Sequence, residues 1–246
     1  MTLATDRFRN RILEALPEGD RNELLHDFQE VPLDFKQLLH EPGEPTPHVY
    51  FPIAGAISLL TVLQDGWAVE LGTVGDEGMI DIAVFLGLKN SESRCVVQVP
   101  GRALRMPSEK FRRRLEEMPE FRRVVGAYVM EFFTMVAQTS ACNRIHSATQ
   151  RCARWILMTQ DRVHGSDFPI TQQFLSEMLG VNRPTVSNAA VALSDLSLIA
   201  YRHGKMKVLN REGLRAASCE CYELIRERFD RLGGGEEIQR HNNGDL

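Results

Sequence analysis

The chain has 246 residues, 43% of them hydrophobic and 25% charged, with a formal net charge of -4. That composition belongs to a globular protein with a core of its own, not to a disordered or fibrous chain, and the length exceeds one average domain. No apolar run reaches the roughly 18 residues of a transmembrane helix. The start, Met1-Thr2-Leu3-Ala4-Thr5-Asp6-Arg7, also lacks the profile of a secretory signal, so a cytoplasmic location without a membrane partner is expected.

Residues 6–29 read as two short helices split at Pro17-Glu18-Gly19-Asp20. Phe8, Ile12, Leu13 and Leu16 form one apolar face, and Leu24, Leu25 and Phe28 another. From about 31 to 107 the texture changes to short apolar runs (49–51, 56–63, 68–71, 94–99) punctuated by Pro, Gly and Asp. Asp65-Gly66 between two such runs is a hairpin signal. Closely spaced short strands of this kind predict an antiparallel barrel or jelly roll.

A helix over 108–115 and a longer one over 120–146 follow. In the longer helix Phe121, Val125, Tyr128, Phe132, Met135, Thr139 and Cys142 recur at alternating spacings of four and three. A heptad-like stripe suits either a helix lying on its own domain's core or the seam of a parallel helix pair in a homodimer. The dimer seam is the expectation.

After a further helix over 150–163 comes the most informative stretch. Thr171 can cap a helix whose Phe174, Leu175 and Met178 point inward, and Gly180 can end it in the left-handed conformation that glycine adopts cheaply. Asn182 caps a second helix with Pro184 in its first turn, where a missing N–H costs little. Val186, Ala190 and Leu193 mark its buried face. Two short helices across a glycine corner predict a helix-turn-helix, which aims the second helix at the major groove of double-stranded DNA.

On that second helix Arg183 can bond bidentately to guanine and Asn188 to adenine, while Ser187 and Thr185 lie beside them, Thr185 toward a phosphate. Thr171 and Gln172 are expected on phosphates through side chains and free N–H groups. A hairpin over 198–209 presents Arg202, Lys205 and Lys207 around a glycine, as a wing on the DNA backbone. Charge agrees with this reading. Residues 144–215 hold 10 Lys and Arg against 5 Asp and Glu, a positive surplus in a chain that is negative overall.

The run from Ile170 through Gly180 and Arg183 to Val186, followed by Leu193-Ser194-Asp195-Leu196-Ser197-Leu198-Ile199 and the Gly204 hairpin, resembles the Crp/Fnr superfamily of bacterial transcription regulators. So does the order of parts over about 20–232. The resemblance implies an α+β chain. It would comprise a cyclic-nucleotide-binding-like jelly roll (1–115), a dimerisation helix (116–146) and a winged helix-turn-helix (147–232), followed by a polar, glycine-rich tail (233–246) expected to be disordered. It also implies DNA, a second copy of the chain and RNA polymerase as partners. The family's recognition helix commonly carries an Arg, an acidic residue and a second Arg at the positions of Arg183, Pro184 and Asn188, and only the first is present here.

In cyclic-nucleotide-binding members a Gly-Glu pair holds the ribose and a following Arg holds the phosphate. Here Arg94 matches that Arg, whereas Asp81-Ile82 stands near the place of the pair, and an aspartate would repel the phosphate. Cyclic nucleotide is therefore disfavoured and no cofactor is expected. Asp81, Ile82 and Arg94 either frame a pocket for an altered ligand, or form a plain corner with Arg94 bridged to Asp76, Glu77 or Asp81. Those three carboxylates are expected on a solvated turn, and His26, His40 and His48 on loops or the surface.

Five cysteines (Cys95, Cys142, Cys152, Cys219, Cys221) form no CxxC or Cys/His ligand spacing, so reduced thiols without a metal are expected. No nucleophile elbow, P-loop, zinc-protease or dinucleotide motif occurs, and the chain is expected not to be an enzyme.

Overall fold

The computed structural model describes residues 9–163, 167–202 and 204–232; the tail call over 233–246 lies outside them. Two short helices, α1 (Arg11–Glu14) and α2 (Glu18–Leu25), lead into the sheet. The buried Asn10 fixes this start. Its side-chain oxygen caps α1 at the Ile12 N–H, and its amide donates to the carbonyls of Pro52 at 2.9 Å and Gly78 at 2.8 Å.

The sheet is antiparallel throughout. It holds β1 (Gln29–Leu33), β2 (Leu38–His40), β3 (His48–Val62), β4 (Ala68–Val74) and β5 (Arg94–Pro107), in the order β1-β5-β3-β4 with β2 also on β5. The Asp65-Gly66 turn joins β3 to β4, with Gly66 at φ 86°. The runs expected as separate strands over 49–51 and 56–63 are one 15-residue strand. The register shifts by bulges around Ala54 and Ala56, where Gly55 at φ 85° lies so close to β5 that a Cβ would meet the Val99 carbonyl at 2.6 Å. A short helix α3 (Ile82–Phe85) follows the corner after β4.

Helices α4 (Ser108–Glu117) and α5 (Pro119–Ile145) then cover the roll. Here the expected seam is corrected. Phe121, Val125, Tyr128, Phe132 and Met135 are all buried within their own chain. Phe121 packs edge-on against Phe111, and the Tyr128 hydroxyl donates to the Met79 carbonyl at 2.9 Å. Thr139 accepts from Arg154 of the next helix. The stripe is thus the lid of the roll's own core, because the largest apolar side chains go where the sheet already offers apolar area. The opposite face of α5 carries a second stripe at heptad spacing: Gly126, Met130, Phe133, Ala137 and Ser140. Met130 and Phe133 are 61% and 65% exposed.

His146 and Ser147 separate α5 from α6 (Ala148–Val163). The winged helix continues with β6 (Asp167–Pro169), α7 (Gln172–Leu179), α8 (Arg183–Asp195), β7 (Ile199–Arg202) and β8 (Lys205–Val208). Helices α9 (Arg211–Ala217) and α10 (Cys221–Leu232) end the described chain. A single buried apolar cluster runs from Ile12 to Phe229, so roll and winged helix share one core.

Candidate nucleic-acid interface

Local chemistry sets the corner of the helix-turn-helix. The Thr171 hydroxyl accepts from the Phe174 N–H at 3.1 Å, and Gly180 ends α7 at φ 60°. Asn182 caps α8 by accepting from the Thr185 N–H at 2.9 Å, and Pro184 occupies the first turn. Val186, Ala189, Ala190 and Leu193 are buried, which turns the other side of α8 outward. Arg183 and Asn188 are exposed there, and neither has an intramolecular partner among the described residues. Ser187 is half-buried. The Thr185 hydroxyl donates to Asn182 at 2.7 Å, so its proton is committed within the helix and it meets a phosphate only after giving that bond up.

The wing is the β7–β8 hairpin, widened by β6 on the far edge of β8. Along β8, Met206 and Val208 are buried while Lys205 and Lys207 are exposed, the period-two alternation of a half-covered strand. Arg202 pairs with Lys205 across the turn, and the Gly204 carbonyl accepts from the Ile170 N–H at 2.8 Å. Arg202, Lys205 and Lys207 form no salt bridge among the described residues.

Thr171 lies elsewhere than the phosphate reading expects. With Gln173, Phe174 and Glu177 it lines a cleft of about 200 Å³ whose other wall is Lys36, Leu60, Arg94 and Val96 of the roll. Gln172 is half-buried at the start of α7, near Ile170, whose carbonyl accepts from the Tyr201 hydroxyl at 3.2 Å.

The corner around Asp81 also departs from expectation. Asp81 is buried at φ 75°, and its carboxylate meets His40 Nε2 at 2.5 Å. Burial raises the Asp81 pKa. Burial is the largest single influence and opposes charge on His40, but the hydrogen bond and charge of Asp81, joined by Glu41 and Glu44, together hold the His40 pKa above its ordinary value. His40 is therefore an interior residue, not a loop one. Glu77 is buried as well, on Arg162 at 2.6 Å, so the expected solvated turn of carboxylates does not exist. Arg94 bridges to Glu41 at 2.8 Å instead of Asp76, Glu77 or Asp81. Alternation along β5 explains this: Cys95 and Val97 point into the roll beside Asp81, and Arg94 and Val96 point to the α7 cleft. Ile82 is half-buried at the start of α3. Asp81, Ile82 and Arg94 do not converge on one pocket.

Sequence reasoning missed the polar seam between the two units. Trp155 Nε1 donates to the buried Glu70 at 2.9 Å, and Thr73 donates to the same carboxylate at 2.7 Å. Gln98 donates to Thr159 at 2.9 Å, and Arg162 donates both to Glu77 and, at 3.1 Å, to the Thr73 carbonyl. Two groups of metal-ligating side chains also assemble from distant segments: His40, Asp81 and Cys95 in the roll, and Cys142, His146, Cys219 and Cys221 around the end of α5.

An antiparallel roll, a long helix and a winged helix-turn-helix with exposed cations on its outer side define a two-domain DNA-binding regulator. The comparisons agree part by part. Residues 31–118 match the model of the cyclic nucleotide-binding domain, and 150–217 that of the Crp-like helix-turn-helix domain. The chain belongs to the Crp/Fnr superfamily of transcription regulators. It is 23% identical over 212 residues to the global nitrogen regulator of Synechococcus elongatus, covering 78% of this chain and 95% of that protein. The fold is shared with the c-di-GMP-responsive global regulator CLP of Xanthomonas campestris, at a TM-score of 0.64 and 14% identity over 78% of this chain and 99% of that one. It is shared too with FixK2 of Bradyrhizobium japonicum, at 0.65 and 14% over 78% and 98%. Among the described residues no helix is long and apolar enough to cross a membrane.

Proposed function

We propose that this regulator binds a specific duplex as a homodimer, with α8 in the major groove and the wing on the backbone, and that cyclic nucleotide does not control it. The observation that carries the DNA reading is the set of exposed Arg183, Asn188, Arg202, Lys205 and Lys207 on one winged helix, none paired among the described residues. Free guanidinium and ammonium groups at a capped helix-turn-helix are what base edges and phosphates require. The second stripe of α5, with Met130 and Phe133 exposed at its centre, supports pairing of two such helices. Two-fold pairing would set the two α8 helices about one DNA turn apart on a near-palindrome.

Against cyclic nucleotide stand the turned-out Arg94, held by Glu41, and the buried Asp81, held by His40. The altered-ligand alternative has one supporting observation: the cleft of about 200 Å³ with Lys36 and Arg94 on its wall, which lies outside the roll and against α7.

Selection of bound DNA from a random duplex pool, with and without cyclic nucleotides, tests the reading. One enriched near-palindrome unaffected by nucleotide is expected; no enrichment over salt-matched competitor overturns it. Phe133→Asp is expected to give a folded monomer in light scattering. An unchanged dimer from that variant removes α5 as the seam.

A further inference from the structure

The fold brings four soft ligands to the joint between the long helix and the winged helix. Cys142 and His146 stand one turn apart at the end of α5, and His146 closes that turn by donating its N–H to the Cys142 carbonyl at 3.0 Å. Cys219 and Cys221 come from the α9–α10 junction, 77 residues beyond Cys142 in the first case. The ligand atoms of all four lie within 4.8 Å of one another. Cys142 Sγ and Cys219 Sγ are 3.5 Å apart, and Cys221 Sγ and His146 Nδ1 are 3.7 Å apart.

These two spacings lie close to the edges of a tetrahedral zinc centre. With Zn–S near 2.3 Å and Zn–N near 2.05 Å, a tetrahedron has sulfur–sulfur edges of about 3.8 Å and sulfur–nitrogen edges of about 3.6 Å. The geometry points to a structural zinc site: we propose that Cys142, His146 Nδ1, Cys219 and Cys221 bind one Zn2+ as a closed Cys3His centre.

Three further observations favour this over simple packing. The three thiols form a buried cluster of their own, with no aliphatic side chain among its members. The other ring nitrogen of His146, Nε2, meets Glu220 at 3.2 Å, the outer carboxylate that fixes a metal-bound imidazole. Arg151 and Arg154 of α6 are buried beside the cluster and the Nε of each has no hydrogen-bond partner; Arg154 also faces the Glu70 carboxylate, whereas Arg151 forms no salt bridge among the described residues. Buried guanidinium groups need a nearby negative charge. A Zn2+ with three thiolates and a neutral imidazole carries one negative charge and supplies it.

Binding releases the three thiol protons to solvent and changes no oxidation state. The centre would tie the end of α5, the two-residue joint and α10 together. Arg151 extends the tie, since it donates to Asn143 beside the ligands at 3.3 Å and to the Leu179 carbonyl at the end of α7 at 3.0 Å. The proposal stands independently of the operator or effector.

The test uses the full chain, purified with reductant and without chelator. About one zinc per chain is expected by elemental analysis. Cobalt replacing it should give the strong visible ligand-field bands of a tetrahedral thiolate site. Cys142→Ser and Cys219→Ser should each lose both signals, and Cys95→Ser plus Cys152→Ser should keep them. Because a ligand variant can fail to fold, chelation of the wild type provides the second measurement. Zinc removal should lower Tm while leaving the helical circular dichroism near its starting value, and zinc addition should restore it. A folded, fully reduced chain that takes up neither zinc nor cobalt overturns the proposal. So does a Cys142–Cys219 disulfide in the purified chain in place of metal, or wild-type zinc content in the Cys219→Ser variant.

Discussion

On the outward side of the winged helix, Arg183, Arg202, Lys205 and Lys207 stand exposed without an ion pair among the described residues, whereas on its inward side Arg162 is buried and spends its donors on Glu77, the Thr73 carbonyl and the Met158 carbonyl. The same residue type thus serves opposite ends. A desolvated arginine must be satisfied within the chain, and so it joins two units rigidly. An arginine left in water carries no such debt and remains free for an external polyanion. Satisfaction inside and vacancy outside distinguish the docking side from the recognition side more sharply than charge count alone.

The largest expected effect lies on the docking side. Arg162→Met strands Glu77 in a buried site and should destabilise the chain by about 3–5 kcal/mol in urea unfolding. Adding Glu77→Leu should restore most of that; no recovery would mean that the pair is not the unit that matters. On the recognition side, Arg183→Ala should cost about 1–3 kcal/mol on the selected duplex and little on random DNA, with stability within about 0.5 kcal/mol of wild type. Equal loss on both DNAs in a binding titration would remove Arg183 from base reading. Lys205→Ala with Lys207→Ala should weaken both DNAs alike and reduce the salt slope by about 2.

The smallest effect is a pH dependence at the seam. Burial, first of all, raises the Glu70 pKa above its ordinary value of 4.5, despite donors from Thr73 and Trp155. The folded state then binds that proton more tightly than the unfolded state. Its contribution is complete below the ordinary carboxylate value and declines as pH rises through the elevated one. Glu70→Gln should flatten this decline in stability measured against pH, and an unaltered profile would place the dependence elsewhere.

What was legible followed sequence distance. Thr171, Gly180, Asn182 and Pro184 act on partners within a few residues, so their caps and corner could be read directly, as could the hairpin at Asp65-Gly66. Periodicity located the stripe from Phe121 to Met135 but could not say what covers it, and the sheet claimed it before any partner could. The stripe through Met130 and Phe133 has the same spacing and smaller neighbours, and so was overlooked. Arg94 carried a family match, yet one step of strand alternation turned it away from Asp81. The contacts of Glu77 with Arg162 and of Glu70 with Trp155 each span 85 residues, and no local pattern encodes them. At the cysteine cluster a local signal did exist, a Cys and a His one helical turn apart at 142 and 146. Scanning for paired cysteines passes over it.

The junction at His146 and Ser147 leaves only two residues between α5, which ends at Ile145, and α6, which begins at Ala148. Two residues offer four torsions, and with His146 extended at φ -90° and ψ 149° the chain turns there as an elbow, not a tether. So short a connection keeps the end of α5 and the start of α6 close together whatever angle they take. Any change of angle at that elbow would have to break the Trp155–Glu70 and Arg162–Glu77 contacts, so the attitude of α8 toward the roll is set by a few buried bonds far from its exposed face.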